Sequence, residues 1–248
     1  SFPTRRSSDL HDIRTPLALI KAPLEELHQN TSLGVEEREA VSMALRNTNM
    51  LSHMTDSVMR YELASIEKGI TRIERHEAIA HFQSQIDKIS QLAQTKHQTI
   101  IFEHPDEPFE IWVDTRKLNS IIQNLLSNAI KYSEEGDSIV LHLYCESKNW
   151  GFHVTDNGIG ISEEGQKKLF KQIFRATNAI NAKTFGFGLG LISIYRYVTQ
   201  MKGRIDVKSI LNEGSDFHIR FPRGKKHYDI QTTEFVETPD APTHSHHC

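Results

Sequence analysis

The sequence predicts an α+β protein in which a helical hairpin precedes a region of mixed helices and strands. In the first 66 residues, apolar side chains recur every three or four positions, as on one face of a helix. After a connector near residues 65–69, helix-like stretches alternate with the short apolar runs of strands. We therefore expect a hairpin domain over residues 1–66, a second domain over 70–223, and a flexible tail or linker over 224–248, where the chain is polar and aperiodic.

The first predicted helix carries an apolar seam beside one histidine. The seam consists of Leu10, Ile13, Leu17, Ile20, Leu24 and Leu27. His11 lies one position off the seam, so we expect it at the solvent edge of a helical bundle, where a second domain can reach it. Asp9 is a candidate N-cap for this helix. Pro16 predicts a bend one turn after His11, because proline removes a backbone donor.

A second helix is expected to begin near Val35, because Glu36 and Glu37 are favourable in a first turn. It repeats the apolar spacing at Val41, Ala44, Thr48, Leu51, Thr55 and Val58. A hairpin alone buries only one seam, so we predict that two chains form a dimeric four-helix bundle. The alternative is that these helices pack on the second domain of their own chain.

The second domain is predicted to contain helices and strands in alternation. Strands are expected near residues 70–74, 99–102, 109–113, 138–144, 150–155, 204–209 and 216–221. Helices are expected near residues 78–95 and from about 162 to 170 or beyond. Another helix is expected to follow the glycine-rich stretch at 186–191 and to reach residue 201. Asp114 is the candidate cap of a further, long helix. The core face of that helix is predicted to be Leu118, Ile121, Ile122, Leu125, Leu126 and Ala129.

Composition excludes several classes of function. The chain has 248 residues, 38% hydrophobic and 25% charged, which suits one large globular domain or two smaller ones. A net charge of −3 gives no basic field for nucleic acid or an anionic membrane surface. The two cysteines form no disulfide framework, and no apolar run has the length to cross a bilayer. We expect a cytoplasmic fragment, with any membrane-spanning part of the parent protein in missing upstream segments.

A polar stripe on the long helix is the first candidate binding feature. Asn124 and Asn128 lie four residues apart and Lys131 follows three residues later, so the three share one side of the helix. Carboxamide oxygens can ligate a hard cation such as Mg²⁺, and an ammonium group can contact phosphate. The stripe therefore suits a metal nucleotide. The alternative is an ordinary polar stripe that faces water.

Two glycine clusters follow this helix. Asp156 ends a predicted strand and precedes Gly158 and Gly160, which places an acceptor for a purine amino group beside a loop that can approach a ligand closely. The second cluster consists of Gly186, Gly188 and Gly190. It precedes a helix whose N-terminal N–H groups can hold phosphates. Neither cluster is a dinucleotide-binding fingerprint, and no G-x-x-x-x-G-K-[ST] loop occurs.

In their order along the chain, these stretches resemble the motifs of a sensor histidine kinase of a two-component system. Residues 11–17 resemble the phosphoacceptor box, 124–133 the N box, 156–160 the first glycine box, 169–175 the F box and 186–191 the second glycine box. The resemblance covers roughly residues 9–223. Five motifs in the same order are a specific signal, whereas any one alone is weak.

The resemblance implies a dimerisation and phosphotransfer domain, then an ATP-binding α/β sandwich whose mixed sheet is covered on one face by helices. ATP and Mg²⁺ are the implied cofactors, with Asn128 as the Mg²⁺ ligand and Asn124 in support. The implied nucleotide contacts are Lys131, Tyr132, Asp156, Gly158, Gly160, Arg175, Gly186, Gly188, Leu189 and Gly190. Asp156 would recognise adenine, and residues from about 175 to 185 would form a lid over ATP.

The resemblance also implies a reaction. The imidazole of His11 would attack the γ-phosphorus of ATP, while Asp12 orients the ring or takes its proton. An aspartate in a response regulator receiver domain, separate or fused downstream, would then receive the phosphoryl group. Thr15 matches the position linked to dephosphorylation of that regulator. The parent protein would lie in the bacterial inner membrane, with this region facing the cytoplasm.

Two other classes of function remain open at this level. One is a nucleotide-sensing scaffold that dimerises and docks a regulator without kinase activity, which the bulky Phe187 between two glycines keeps open. The other is a chaperone-type or topoisomerase-type ATPase. The phosphoacceptor box and the helical hairpin argue against this last class.

Overall fold

The structure is a computed structural model that describes residues 4–29, 32–66, 71–170, 190–228 and 233–236. It begins with two packed helices, α1 (Thr4–Gln29) and α2 (Val35–Ile66). Helix α1 starts at Thr4, so the expected cap at Asp9 is wrong: Asp9 lies inside the helix. Both Pro16 and Pro23 also lie within α1. None of the described helices is long and apolar enough to span a membrane.

The second domain contains eight strands and four helices among the described residues. The strands are β1 (Thr71–Glu77), β2 (Thr99–Glu103), β3 (Glu110–Val113), β4 (Ser138–Cys145), β5 (Asn149–Asp156), β6 (Arg204–Ile210), β7 (Gly214–Pro222) and β8 (Thr233–Val236). The helices are α3 (Ala78–Gln94), α4 (Thr115–Tyr132), α5 (Glu163–Lys168) and α6 (Gly190–Gln200).

Five of these strands form one mixed sheet in the order β2-β4-β5-β7-β6. Strands β2 and β4 are parallel, and the other neighbours are antiparallel. Helices α3, α4 and α6 pack on the sheet and on one another. The predicted α/β sandwich with a mixed sheet is therefore confirmed.

Helix α4 and the sheet bury a shared apolar core. The predicted cap is confirmed, because the Asp114 carboxylate accepts a hydrogen bond from the Lys117 backbone N–H at 3.2 Å. All six predicted core-face residues of α4 are buried. From the sheet side, Trp150 and Phe152 are at most 1% exposed. Phe82 of α3 lies edge-on to Phe152, with ring centroids 4.9 Å apart.

A second sheet has three strands in the order β3-β1-β8. Its strand β8 lies in the region that was predicted to be a flexible tail. Strand β8 pairs in parallel with β1, and Arg72 forms an ion pair with Glu234 at 3.0 Å. Tyr228 is buried, and its hydroxyl donates to the Trp112 carbonyl at 3.0 Å. The prediction of a flexible tail from residue 224 is therefore wrong for residues 224–228 and 233–236, which pack on the domain.

Helix α5 is shorter than predicted. Ser162 caps it by accepting a hydrogen bond from the Gly165 N–H at 3.2 Å. The helix ends at Lys168, because Leu169 has extended backbone angles and Phe170 has a φ of +67°. Residues 171–189 lie outside the described parts of the chain.

The helical hairpin leaves much of its apolar seam uncovered. Leu17, Thr48 and Thr55 are buried, whereas Ile20 is 50% exposed and Leu27 is 43% exposed. Helix α2 also packs against α6 of the second domain. Part of α2 therefore packs on the second domain of its own chain, as the alternative expected. The exposed seam residues are still accessible to a second chain.

Candidate functional site

Helix α4 presents the predicted polar stripe beside the start of α6. The buried core face fixes the rotation of the helix, which leaves Asn124 and Asn128 half-buried. The Asn124 amide nitrogen donates to the Ser120 carbonyl at 2.7 Å, which turns its oxygen away from that carbonyl. A Cβ atom at Gly190 would lie 3.0 Å from this oxygen. Both asparagines are thus partly accessible, and amide oxygens are among the ligands that bind a hard cation.

The last turn of α4 carries the two further predicted nucleotide contacts. The Lys131 ammonium donates to the Tyr132 hydroxyl at 3.0 Å and lies 4.5 Å from the centre of that ring. Both side chains are half-buried. The pair therefore places a positive charge and an aromatic face on one side of the helix end.

Asp156 is a buried carboxylate at the end of β5. It is 7% exposed and accepts hydrogen bonds from the Gly158 N–H at 3.0 Å and from the backbone of Ser215. Burial raises the pKa of Asp156 to about 6, and the two backbone hydrogen bonds oppose the shift. Such a buried acceptor, with fixed orientation, suits recognition of an amino group on a ligand.

The loop after Asp156 is held between α4 and the turn from β6 to β7. The Ile159 N–H donates to the Tyr132 carbonyl at 3.2 Å, and a Cβ atom at Gly158 would lie 2.4 Å from that oxygen. Gly160 has a φ of +60°, and a Cβ there would lie 1.9 Å from the Ile210 carbonyl. Both glycines are thus required by contacts within the domain, and their contact with a nucleotide remains a prediction.

The comparisons with known proteins identify the family. A model of the histidine kinase-, DNA gyrase B- and HSP90-like ATPase matches residues 113–225, and one of the His Kinase A (phospho-acceptor) domain matches residues 10–69. Sensor histidine kinase YcbM of Bacillus subtilis (strain 168) is 32% identical in an alignment of 223 residues that covers 86% of this chain and 69% of YcbM. This chain belongs to the sensor histidine kinases.

A second relative agrees with this assignment, and a solved structure shares the fold. Sensor protein CiaH of Streptococcus pneumoniae serotype 4 is 28% identical over 85% of this chain and 47% of CiaH. The structure of full-length ShkA in complex with AMPPNP superposes with a TM-score of 0.70 and 22% identity, over 90% of this chain and 46% of ShkA. The chain thus spans about half the length of CiaH and of ShkA. The two family models match an ATPase domain and a phospho-acceptor domain, which supports ATP binding and phosphorylation on histidine.

The structure brings together only part of the predicted site of this histidine kinase. Asn124, Asn128, Lys131, Tyr132 and Asp156 lie around the described end of α4 and β5. Arg175, Gly186, Gly188 and Leu189 lie outside the described residues, and Gly190 is the first residue of α6. His11, Asp12 and Thr15 lie on α1, in the other domain, and Thr15 is exposed. No cluster of three or more His, Cys, Asp or Glu residues suited to a metal occurs within the described ranges.

Sequence reasoning predicted the turn at residues 212–214 but missed its contact with Asp156. Gly214 has a φ of +121°, and a Cβ there would lie 1.9 Å from the Asp156 carbonyl. The Ser209 hydroxyl donates to the Gly214 carbonyl at 2.7 Å and accepts from the Ile161 N–H at 2.7 Å. The Asn-Glu-Gly sequence at 212–214 signalled a turn, but no local pattern signalled its contact with Asp156.

Proposed function

We propose that this histidine kinase transfers the γ-phosphoryl group of ATP to His11, and from His11 to an aspartate of a response regulator. The observation that supports this most is that the loop after Asp156 and the asparagine stripe are both attached to helix α4. The loop after the buried Asp156 is hydrogen-bonded to the Tyr132 carbonyl, at the end of the helix that carries Asn124 and Asn128. One rigid unit can therefore hold both the base and the phosphates of a nucleotide.

Each side chain of this unit has a proposed role. Asp156 accepts a hydrogen bond from the adenine amino group, while Lys131 and Tyr132 contact the nucleotide. Asn128, supported by Asn124, would hold Mg²⁺, which when bound offsets the negative charge of the phosphates. Gly158 and Gly160 border the base. Residues 175–185 would close over ATP, and the second glycine cluster would contact its phosphates through backbone N–H groups.

The proposed chemistry is an in-line phosphoryl transfer. A ring nitrogen of neutral His11 forms a bond to the γ-phosphorus as the bond to the β–γ bridging oxygen breaks and ADP leaves. Asp12 orients the imidazole or takes its proton. The phosphoryl group then moves from the ring nitrogen to a carboxylate oxygen of the regulator. Thr15, exposed on the same helix, would position water for dephosphorylation of that regulator.

The hairpin provides the proposed dimer contact. The family's phospho-acceptor domain implies dimerisation. The exposed seam residues Ile13, Ile20 and Leu27 are each between 43% and 50% exposed in a single chain. A second hairpin laid on this stripe would bury them and complete a four-helix bundle. The regulator would be a receiver domain, either separate or downstream in the same protein.

The decisive experiment follows label from γ-labelled ATP and Mg²⁺ into the protein. Wild type should gain acid-labile, alkali-stable label, and His11→Gln should gain none. His28→Gln is the matched control, because His28 is an exposed histidine on the same helix and should leave labelling unchanged. Equal labelling of wild type and His11→Gln would refute the proposed acceptor. Nucleotide binding without any label would instead favour the scaffold.

A further inference from the structure

The turn between α3 and β2 holds the end of α4 through two side chains. The Lys96 ammonium donates to the backbone carbonyls of Ile130 at 2.8 Å, Lys131 at 3.2 Å and Ser133 at 3.4 Å. The first two oxygens belong to the last turn of the helix that carries the asparagine stripe, and Ser133 is the C-cap of that helix. A lysine from another element therefore caps this helix from outside.

Gln98 reinforces the same contact from the interior. Its side chain is buried, and its amide nitrogen donates to the carbonyls of Ile130 at 3.1 Å, Ser133 at 3.3 Å and Glu134 at 2.8 Å. The turn is also tied through its backbone, since the Gly136 N–H donates to the Lys96 carbonyl at 3.1 Å. The two side chains thus act on the same group of oxygens.

The carbonyls at the end of α4 accept hydrogen bonds from two segments of the chain, the turn that holds Lys96 and Gln98 and the loop after Asp156. The last carbonyls of a helix have no partner within it and need donors from elsewhere. Lys96 and Gln98 supply donors to two of them, at residues 130 and 131, and also to the carbonyls of the C-cap Ser133 and of Glu134 beyond it. The carbonyl between them, that of Tyr132, accepts instead from the Ile159 N–H of the loop after Asp156. The cap therefore fixes the helix end on which that loop is anchored.

The charge of Lys96 matches this position. The carbonyl end of a helix carries a partial negative charge, so a cation there is stabilising. Hydrogen bonds from a charged donor are also stronger than those from a neutral one. A neutral replacement of similar length would keep the packing of the stem but lose both effects.

We infer that Lys96 and Gln98 are positioning residues for the nucleotide. They hold the last turn of α4 so that Lys131, Tyr132 and the Asp156 loop keep the relative placement that ATP requires. The inference rests on the proposed function, because it assigns these two residues a role in the same nucleotide site. Neither residue belongs to the motifs that mark the family in this sequence.

The test compares ATP binding and autophosphorylation of the full chain. Lys96→Met should raise the Kd and KM for ATP about tenfold, because it removes charge-assisted hydrogen bonds to the helix end. The labelling rate at saturating ATP should stay within about twofold, since the chemistry occurs at His11. Lys96→Arg should restore most of the affinity, because a guanidinium retains charge and several donors. Lys88→Met, an exposed lysine on α3, is the matched control and should change neither quantity.

Gln98→Glu provides an independent variant of the same shape. It turns acceptor oxygens toward carbonyl oxygens, so it should also weaken ATP binding, while Gln83→Glu on the exposed face of α3 should not. Thermal unfolding of each variant identifies the folded ones, and Lys96→Gln replaces Lys96→Met if the latter does not fold. A folded Lys96→Met or Lys96→Gln variant that binds ATP like wild type would overturn the inference. Failure of wild type to bind ATP would instead overturn the proposed function.

Discussion

The two faces of the five-stranded sheet are built from alternate residues of the same strands, yet their chemistry is opposite. The inward face is apolar and lies under α3, α4 and α6. The outward face carries one row of ionisable side chains that crosses all five strands in register. The row runs Glu103, His142, His153, His218 and Asp206.

The three histidines of the outward row are in ring contact, stacked for His142 and His153 and tilted for His153 and His218. The rings of His142 and His153 lie 4.9 Å apart, and those of His153 and His218 lie 5.1 Å apart. The Tyr144 oxygen lies 2.6 Å from Nε2 of His218. Carboxylates flank the row, with Glu103 at 3.1 Å from His142 and Asp216 at 3.5 Å from His153. Lys208 and Arg220 also lie on this face.

Asp156 belongs to the inward series although it is ionisable. In β5 the buried residues Trp150, Phe152 and Val154 alternate with the half-buried His153 and Thr155, and Asp156 continues the buried set. This period of two explains why the carboxylate at the strand end is desolvated. The inward face therefore sets both the stability of the domain and the environment of Asp156, which is proposed to recognise the base.

The largest expected difference between the faces is in stability. Phe152→Ala removes a side chain that is 0% exposed, and should lower the free energy of unfolding by about 3–5 kcal/mol. His142→Ala, on the outward face of the neighbouring strand, should lower it by less than about 1 kcal/mol. Urea unfolding followed by circular dichroism measures both. Equal losses would contradict the assignment of the core to one face.

A second difference concerns the pH dependence that Asp156 causes. Its pKa rises from 3.8 to about 6 on folding, so between these values the folded state holds a proton that the unfolded state has lost. This group therefore makes the domain less stable as pH rises through that window, by about 3 kcal/mol in total. Asp156→Asn should remove this contribution. Unfolding of both proteins between about pH 4 and 7 tests it, and parallel curves would refute it.

The smallest effect is expected from His153, and its sign is opposite. Burial lowers the pKa of His153 from 6.5, Asp216 raises it, and His142 and His218 lower it further. The unfolded state thus takes up a proton first, so this group makes the domain less stable as pH falls below 6.5. His153→Gln should reduce that loss. If the loss is the same in wild type and His153→Gln, the stacked row does not carry this effect.

Features set by local pattern were predicted, and features set by distant pairing were not. The bounds of α4 follow from the cap at Asp114 and the apolar period, and both are present in the structure. Strand β8 escaped prediction because its four residues are paired with β1, about 160 positions earlier. The histidine row escaped for the same reason, since only the strand register aligns residues 142, 153 and 218.

In the candidate site, too, some features follow from local sequence and others from contacts between distant segments. The stripe of Asn124 and Asn128 and the position of Asp156 at a strand end can be read from spacing alone. Lys96 lies in a short polar turn with no distinguishing pattern, and its contacts exist only because that turn meets the end of α4. Supports of this kind depend on how elements meet in space, which spacing along the chain does not encode.

The pairing of β1 with β8 gives the second domain a mechanical property. Thr71 and Val236 lie at opposite ends of this parallel pair, where β1 begins and β8 ends. A pulling force applied between these two residues acts along the strands, so it loads the hydrogen bonds of the pair together rather than one after another. The small sheet therefore resists tension between the segment that follows the helical hairpin and the far end of the domain.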